Sequence, residues 1–182
     1  MQPSLITSDE LGEGDITAFV KLRLINALPP DKPSIYQESP FLPMAKRNPK
    51  QRGKTGETLV AMLANSLDFT VTPSIGGDLQ INGVDVEVKM AMQGADGGFQ
   101  INQLRPQSYR YVACLILRPQ SAWIFTVPKH KILALSKGQH GGKNATETMA
   151  YNASNFAKLW GDFGEYSGRD VFARCFSSSS KG

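Results

Sequence analysis

Cysteine and histidine are scarce in this chain, with two of each among 182 residues. Cys114 and Cys175 stand far apart, so a disulfide framework is excluded, and so is a thiolate zinc site, which needs closely spaced cysteine or histidine pairs. His130 and His140 lack the spacing of metal ligands and have no nucleophile motif nearby. No apolar run reaches the length of a membrane span, and no charged-then-apolar leader opens the chain. These absences lead to the expectation of an intracellular, cytoplasmic protein of prokaryotic or phage type. No repeat and no heptad series is present. The glycine-rich stretch 137–148 lacks the Gly-Lys-Ser/Thr ending and the strand context of a phosphate-binding P-loop.

The chain does carry a modest excess of positive charge, with 20 Lys and Arg against 16 Asp and Glu, net +4. The distribution says more than the total. Lys46, Arg47, Lys50, Arg52 and Lys54 fall within nine residues, where a proline- and lysine-rich stretch, residues 29–53, gives way to the helix expected near Glu57. A basic run of this kind suits phosphate contacts, because each neutralised phosphate releases counterions. A plain solvated loop would have the same composition.

The densest chemistry lies in Gly76-Gly77-Asp78-Leu79-Gln80-Ile81-Asn82-Gly83-Val84-Asp85-Val86-Glu87-Val88-Lys89-Met90. Asn82-Gly83 predicts a two-residue hairpin turn, since both central residues must tolerate positive φ. In that register Ile81 faces Val84, Gln80 faces Asp85 and Asp78 faces Glu87. Val84, Val86, Val88 and Met90 alternate with Asp85, Glu87 and Lys89, which puts the valines on a core face and the charges together on the other. An alternating strand can also be the wet face of an amphipathic hairpin. Two carboxylates opposed across a hairpin repel, however, and a divalent cation removes the conflict. Hard oxygen ligands suit Mg2+, with Mn2+ as a substitute. A neighbouring lysine can orient an attacking water. Asp85 shares the face and is an alternative to Asp78, although its partner Gln80 favours a rim position.

An Asp followed by Glu-x-Lys on the next strand resembles the PD-(D/E)XK nuclease superfamily, which includes type II restriction endonucleases and Holliday-junction resolvases. The resemblance covers about residues 53–136. It implies that Asp78 and Glu87 bind the metal, that Val88 lends its backbone carbonyl and that Lys89 serves the water. The sequence departs from the pattern at Gly77, where the family often has proline. A glutamate on the first helix often completes the site, and Glu57 matches it. Glu57 can equally be a first-turn glutamate favoured by the helix dipole, with Thr55 as the cap. Gln100 or Gln103 resembles a glutamine found after the Glu-x-Lys strand in resolvase-like members.

The implied fold is α/β: a restriction-endonuclease-like core, with a mixed central β-sheet flanked by helices, and helical additions at both ends. Residues 15–28 read as an extra amphipathic helix buried against the core or a second subunit. A helix follows residue 57, then strands near 69–74, 109–117 and 122–127 and a short helix over 129–135. Residues 99–104 are short and ambiguous between helix and strand. Residues 137–148 read as a polar loop whose Gln139, His140, Lys143 and Asn144 could reach base edges or phosphates, with Gln100, Asn102, Gln103 and Arg105 as alternative readers. Residues 151–160 read as a helix. All 182 residues are expected to form one domain. The expected function is Mg2+-dependent hydrolysis of double-stranded DNA by a homodimeric type II restriction enzyme. The alternatives are a Holliday-junction or repair nuclease, or a non-catalytic DNA-binding subunit.

Overall fold

A computed structural model describes residues 13–24, 35–105, 107–140, 146–151 and 156–177. Helix α1 (Glu13–Leu24) is followed by a single turn, α2 (Leu42–Ala45), and the long helix α3 (Pro49–Asn65). Then come β1 (Val71–Pro73), β2 (Leu79–Ile81), β3 (Val84–Met92), β4 (Phe99–Leu104), β5 (Tyr111–Leu117) and β6 (Ala122–Pro128). Helix α4 (Lys129–Leu135), strands β7 (Lys137–His140) and β8 (Thr146–Tyr151), and helices α5 (Phe156–Phe163) and α6 (Arg169–Ser177) complete the order.

The central sheet has five strands in the order β1-β2-β3-β5-β6. It is mixed: β3 and β5 run parallel, and the other neighbours are antiparallel. Strand β5 is buried along nearly its whole length, which explains its unbroken apolar sequence. One face of the sheet packs on α1, α3 and α6 through Val86, Val88, Leu59, Val60 and Phe172. The other face packs Val112, Cys114 and Ile116 against Phe99, Ile101, Leu159 and Phe163. Helix α1 docks on this core: Ile16 and Val20 are buried, and the Thr17 hydroxyl accepts from the Ala122 amide at 2.8 Å.

The expected mixed sheet flanked by helices is therefore present, with three differences. Helix α3 starts at Pro49 and is capped by Asn48 rather than Thr55. The Asn48 side chain accepts from the Gln51 amide at 2.9 Å, and the Gln51 side chain accepts from the Asn48 amide at 3.2 Å. Thr55 instead donates back to the Gln51 carbonyl inside the helix. Glu57 thus lies beyond the first turn, and a helix-dipole role no longer accounts for it. Next, the stretch 137–148 is not a plain loop. Its described parts are β7 and β8, which join β4 in a second, three-stranded sheet in the order β4-β8-β7. The residues after 136 are consequently not only helical, and Tyr151 ends a strand, with the helix beginning at Phe156. Lastly, α6 was not anticipated; Phe172 and Phe176, four apart on one face, are wholly buried. Among the described residues no helix is long and apolar enough to cross a membrane.

Candidate metal centre and polyanion groove

The hairpin forms in the expected register. Asn82 and Gly83 take φ of 46° and 78°, and the ladder pairs Ile81 with Val84, Gln80 with Asp85 and Leu79 with Val86. Asn82 also anchors the turn: its side chain accepts from the Thr70 amide at 2.9 Å and donates to the Phe176 carbonyl at 3.1 Å.

The ladder stops one pair short of Asp78 and Glu87. The Asp78 amide bends back to the Val86 carbonyl at 2.9 Å. Its carboxylate then accepts from the Val88 amide at 2.7 Å, where β3 has run past the end of β2. Amide and carbonyl of one residue leave an extended strand on the same side, so the Val88 carbonyl lies on the edge that Asp78 occupies. Gly77 permits this approach, because a Cβ there would lie 2.6 Å from the Val86 carbonyl oxygen.

Glu87 is 2% exposed. A solvated strand face would leave it wet; here it is buried on the same sheet face as its β5 neighbour Val112. Its Oε1 accepts from Lys89 Nζ at 2.5 Å, while its buried Oε2 has no hydrogen-bond partner among the described residues. Burial is the main cause that pushes the Glu87 pKa up, with Asp78 adding to it; Lys89 and, more weakly, Arg105 oppose the rise. Tyr109 is buried nearby, and its phenol pKa is raised by burial first and by the Glu87 charge second. The Cys114 thiol is pushed up to about 12 by burial, which fits a packing role. Asp85 is engaged elsewhere: its Oδ1 accepts from Ser74 at 2.7 Å and from Gln80 at 3.2 Å. Those bonds fix the loop that leads to Asp78.

Asp78, Glu87, Val88 and Lys89 line a single groove of about 1110 Å³. On one wall α3 contributes Lys50, Arg52, Lys54 and Glu57. Lys54 donates to Glu57 at 2.8 Å, and its pKa is raised by that bond and by Asp78. On the opposite wall stand Gln100, Asn102, Gln103 and Arg105 from β4 and the residue after it. Lys46 and Arg47 are not among the lining residues. The Lys46 ammonium is buried, and Arg47 donates to Thr55 at 2.8 Å. Gln139 and His140 belong to β7, but their side chains, together with Lys143 and Asn144, lie outside the described residues.

The sequence reading missed the part played by the two glycines before Asp78 and by Asp85. The doublet Gly76-Gly77 was the available signal, since a strand approached that closely cannot carry a Cβ. Among the described residues no group of three His, Cys, Asp or Glu side chains closes on one point, and Glu57 lines the groove together with Asp78 and Glu87. No protein-family model matches this chain, and no curated protein matches it in sequence.

Proposed function

We propose that this protein is a divalent-metal-dependent endonuclease of the PD-(D/E)XK type, acting on double-stranded DNA. The observation that carries this reading is Glu87, a buried carboxylate with one oxygen on Lys89 and the other without a partner among the described residues, in a groove that Lys50, Arg52 and Lys54 also line. An isolated buried carboxylate oxygen is costly unless something binds it. The donor set fits Mg2+ or Mn2+: two carboxylates, Asp78 and Glu87, with the Val88 carbonyl on the same strand edge, all hard oxygens.

A bound Mg2+ would supply positive charge to the phosphate and acidity to the attacking water. The chain's own residues do the rest. Lys89 sits at the carboxylate pair, placed to hold the water and steer its proton. Water adds to phosphorus, the bond to the leaving sugar oxygen breaks, and that oxygen takes up a proton. Lys50, Arg52 and Lys54 provide the cationic rail that keeps the phosphate chain in the groove. Lys54 also holds Glu57 at 2.8 Å, which keeps that carboxylate facing the same space. A homodimer of the type II restriction kind would place one such site on each strand of a palindromic target.

The test is incubation of supercoiled plasmid with and without Mg2+. Discrete bands only with the metal support a restriction-type enzyme, and cutting of branched junctions alone supports a resolvase. Binding without cleavage in either Mg2+ or Mn2+ would overturn the enzymatic reading and leave a DNA-binding subunit. Sedimentation of the protein on a short duplex tests the dimer.

A further inference from the structure

Strand β4 is built in an unusual way for its position. Phe99, Ile101 and Leu104 are buried at 4%, 2% and 0% exposure. Gln100, Asn102, Gln103 and Arg105 are exposed and line the groove. Strict alternation would bury residue 103 and expose residue 104. Instead, the pairing with β8 runs Ile101 to Met149 and then Leu104 to Glu147, so β4 carries one extra residue in that interval. The bulge sets Asn102 and Gln103 side by side on the groove wall and returns Leu104 to the core.

Gln103 takes a φ of 57°, the left-handed region that favours glycine. The backbone would be relaxed by glycine, yet the position holds a long amide. Strained backbone retained beside a catalytic groove points to a use for the side chain. β4 is also the edge strand of its sheet, so among the described residues no further strand pairs with its outer edge. Amides make bidentate bonds to adenine and a guanidinium makes them to guanine, and an antiparallel β-ribbon fits the major groove of a duplex. Lysines of α3 on the opposite wall would meet phosphates, which fix register but carry no sequence information.

We infer that the bulged strand β4 is the sequence-reading element of this groove, with Asn102 and Gln103 as the central contacts to base edges of duplex DNA. This rests on the proposed nuclease function only for the identity of the polymer. The bulge assigns reading to the wall that faces Glu87 and Lys89, so recognition and cleavage would share one groove.

The experiment is selection from a randomised duplex library by the whole protein, with Ca2+ in place of Mg2+ so that bound DNA stays intact. Wild type, Asn102→Ala and Gln103→Gly are compared. Gln103→Gly is the informative variant, because it removes the amide while relieving the backbone, and its melting temperature reports separately whether the fold holds. Wild type should enrich a defined sequence. Each variant should lose preference at one or two base positions by roughly 5- to 150-fold, the discrimination one bidentate contact gives. Affinity for bulk duplex should stay within about twofold, as base contacts contribute little to it. Variants that enrich the wild-type sequence with equal strength, or a wild type that enriches nothing, would overturn the inference. Cleavage in Mg2+ is measured in parallel: wild-type DNA selection without cleavage would remove the nuclease reading and leave β4 as the reader.

Discussion

Glu87→Gln separates a metal ligand from a merely buried acid. The substitution keeps the shape of the side chain, and the amide oxygen can still accept from Lys89, so the 2.5 Å contact has a successor. In a cation-free buffer the wild type buries a charged Oε2 that has no hydrogen-bond partner among the described residues, at 2% residue exposure. The variant puts an unpartnered amide nitrogen in that place, but a buried neutral group costs less than a buried charge, and the raised Glu87 pKa reflects a fold that disfavours the charge, so the variant should be as stable as the wild type or slightly more so. Mg2+ should change the order. A cation held at a hundred times its dissociation constant stabilises the folded state by about 2.7 kcal/mol. For a chain of this size each kcal/mol is worth about 2–4 °C, so the wild-type midpoint should rise by roughly 5–11 °C, whereas the variant should barely move.

The pH dependence carries a sign that can be checked in the same assay. The Glu87 pKa is raised in the folded state. Its proton therefore contributes stability that is fully present below the ordinary glutamate range and is lost as pH rises through the higher folded value. Cation-free wild type should thus lose stability relative to Glu87→Gln as pH climbs from about 4.5, the unfolded value, past the raised one. Thermal melts in chelator and in Mg2+ across that range provide both readings. Equal Mg2+ shifts in wild type and Glu87→Gln would refute the idea that this carboxylate binds the metal.

The hairpin was legible because its determinants are local. Asn82-Gly83 sets the turn, and valine alternation sets which face is apolar, so the pairs Ile81–Val84 and Gln80–Asp85 follow from the sequence. Whether Glu87 is wet or dry was not local. That is set by packing between distant segments, where Phe99, Tyr109 and Phe163 cluster with Ala91 of β3 and Val112 of β5. The start of α3 was misplaced for a similar reason. Gly53 and Gly56 look like helix breakers, but Gly56 is where the helix meets β3: a Cβ there would lie 2.9 Å from the Met90 Cβ. The strands β7 and β8 were hidden by Gly138 and by their polar residues. β8 pairs with β4, joining Tyr151 to Phe99, a partner far along the chain that no local pattern announces. The charged residues could be named in advance, and their relation to the groove came from packing.

Three further outcomes follow from the same geometry. Asp78→Ala removes the acceptor of the Val88 amide as well as a proposed metal ligand, so it should cost about 1–3 kcal/mol in a denaturant melt and abolish plasmid cleavage. Normal cutting by that variant would place the chemistry elsewhere. Replacing Lys50, Arg52 and Lys54 with alanine should lower the slope of log affinity against log salt by about 0.9 for each lost phosphate contact; an unchanged slope would make this wall of the groove an ordinary solvated helix face. Gly77→Ala tests the framing of Asp78. The new Cβ would meet the Val86 carbonyl oxygen at 2.6 Å and its carbon at 2.9 Å, both backbone atoms that cannot rotate away. β2 and β3 would have to part, weakening the Asp78 amide bond to Val86 and drawing the carboxylate off the Val88 amide. Overpacking of this kind costs about 1–3 kcal/mol, and cleavage should fall even where the protein remains folded. Gly76→Ala is the contrasting variant, since its obstacles are side-chain atoms, the Ser108 hydroxyl and, at 3.0 Å, the Asp85 carboxylate, rather than backbone. If the two variants melt and cut alike, Gly77 does not hold Asp78 in place, and the fixed approach of β2 to β3 is not what sets the metal-binding geometry.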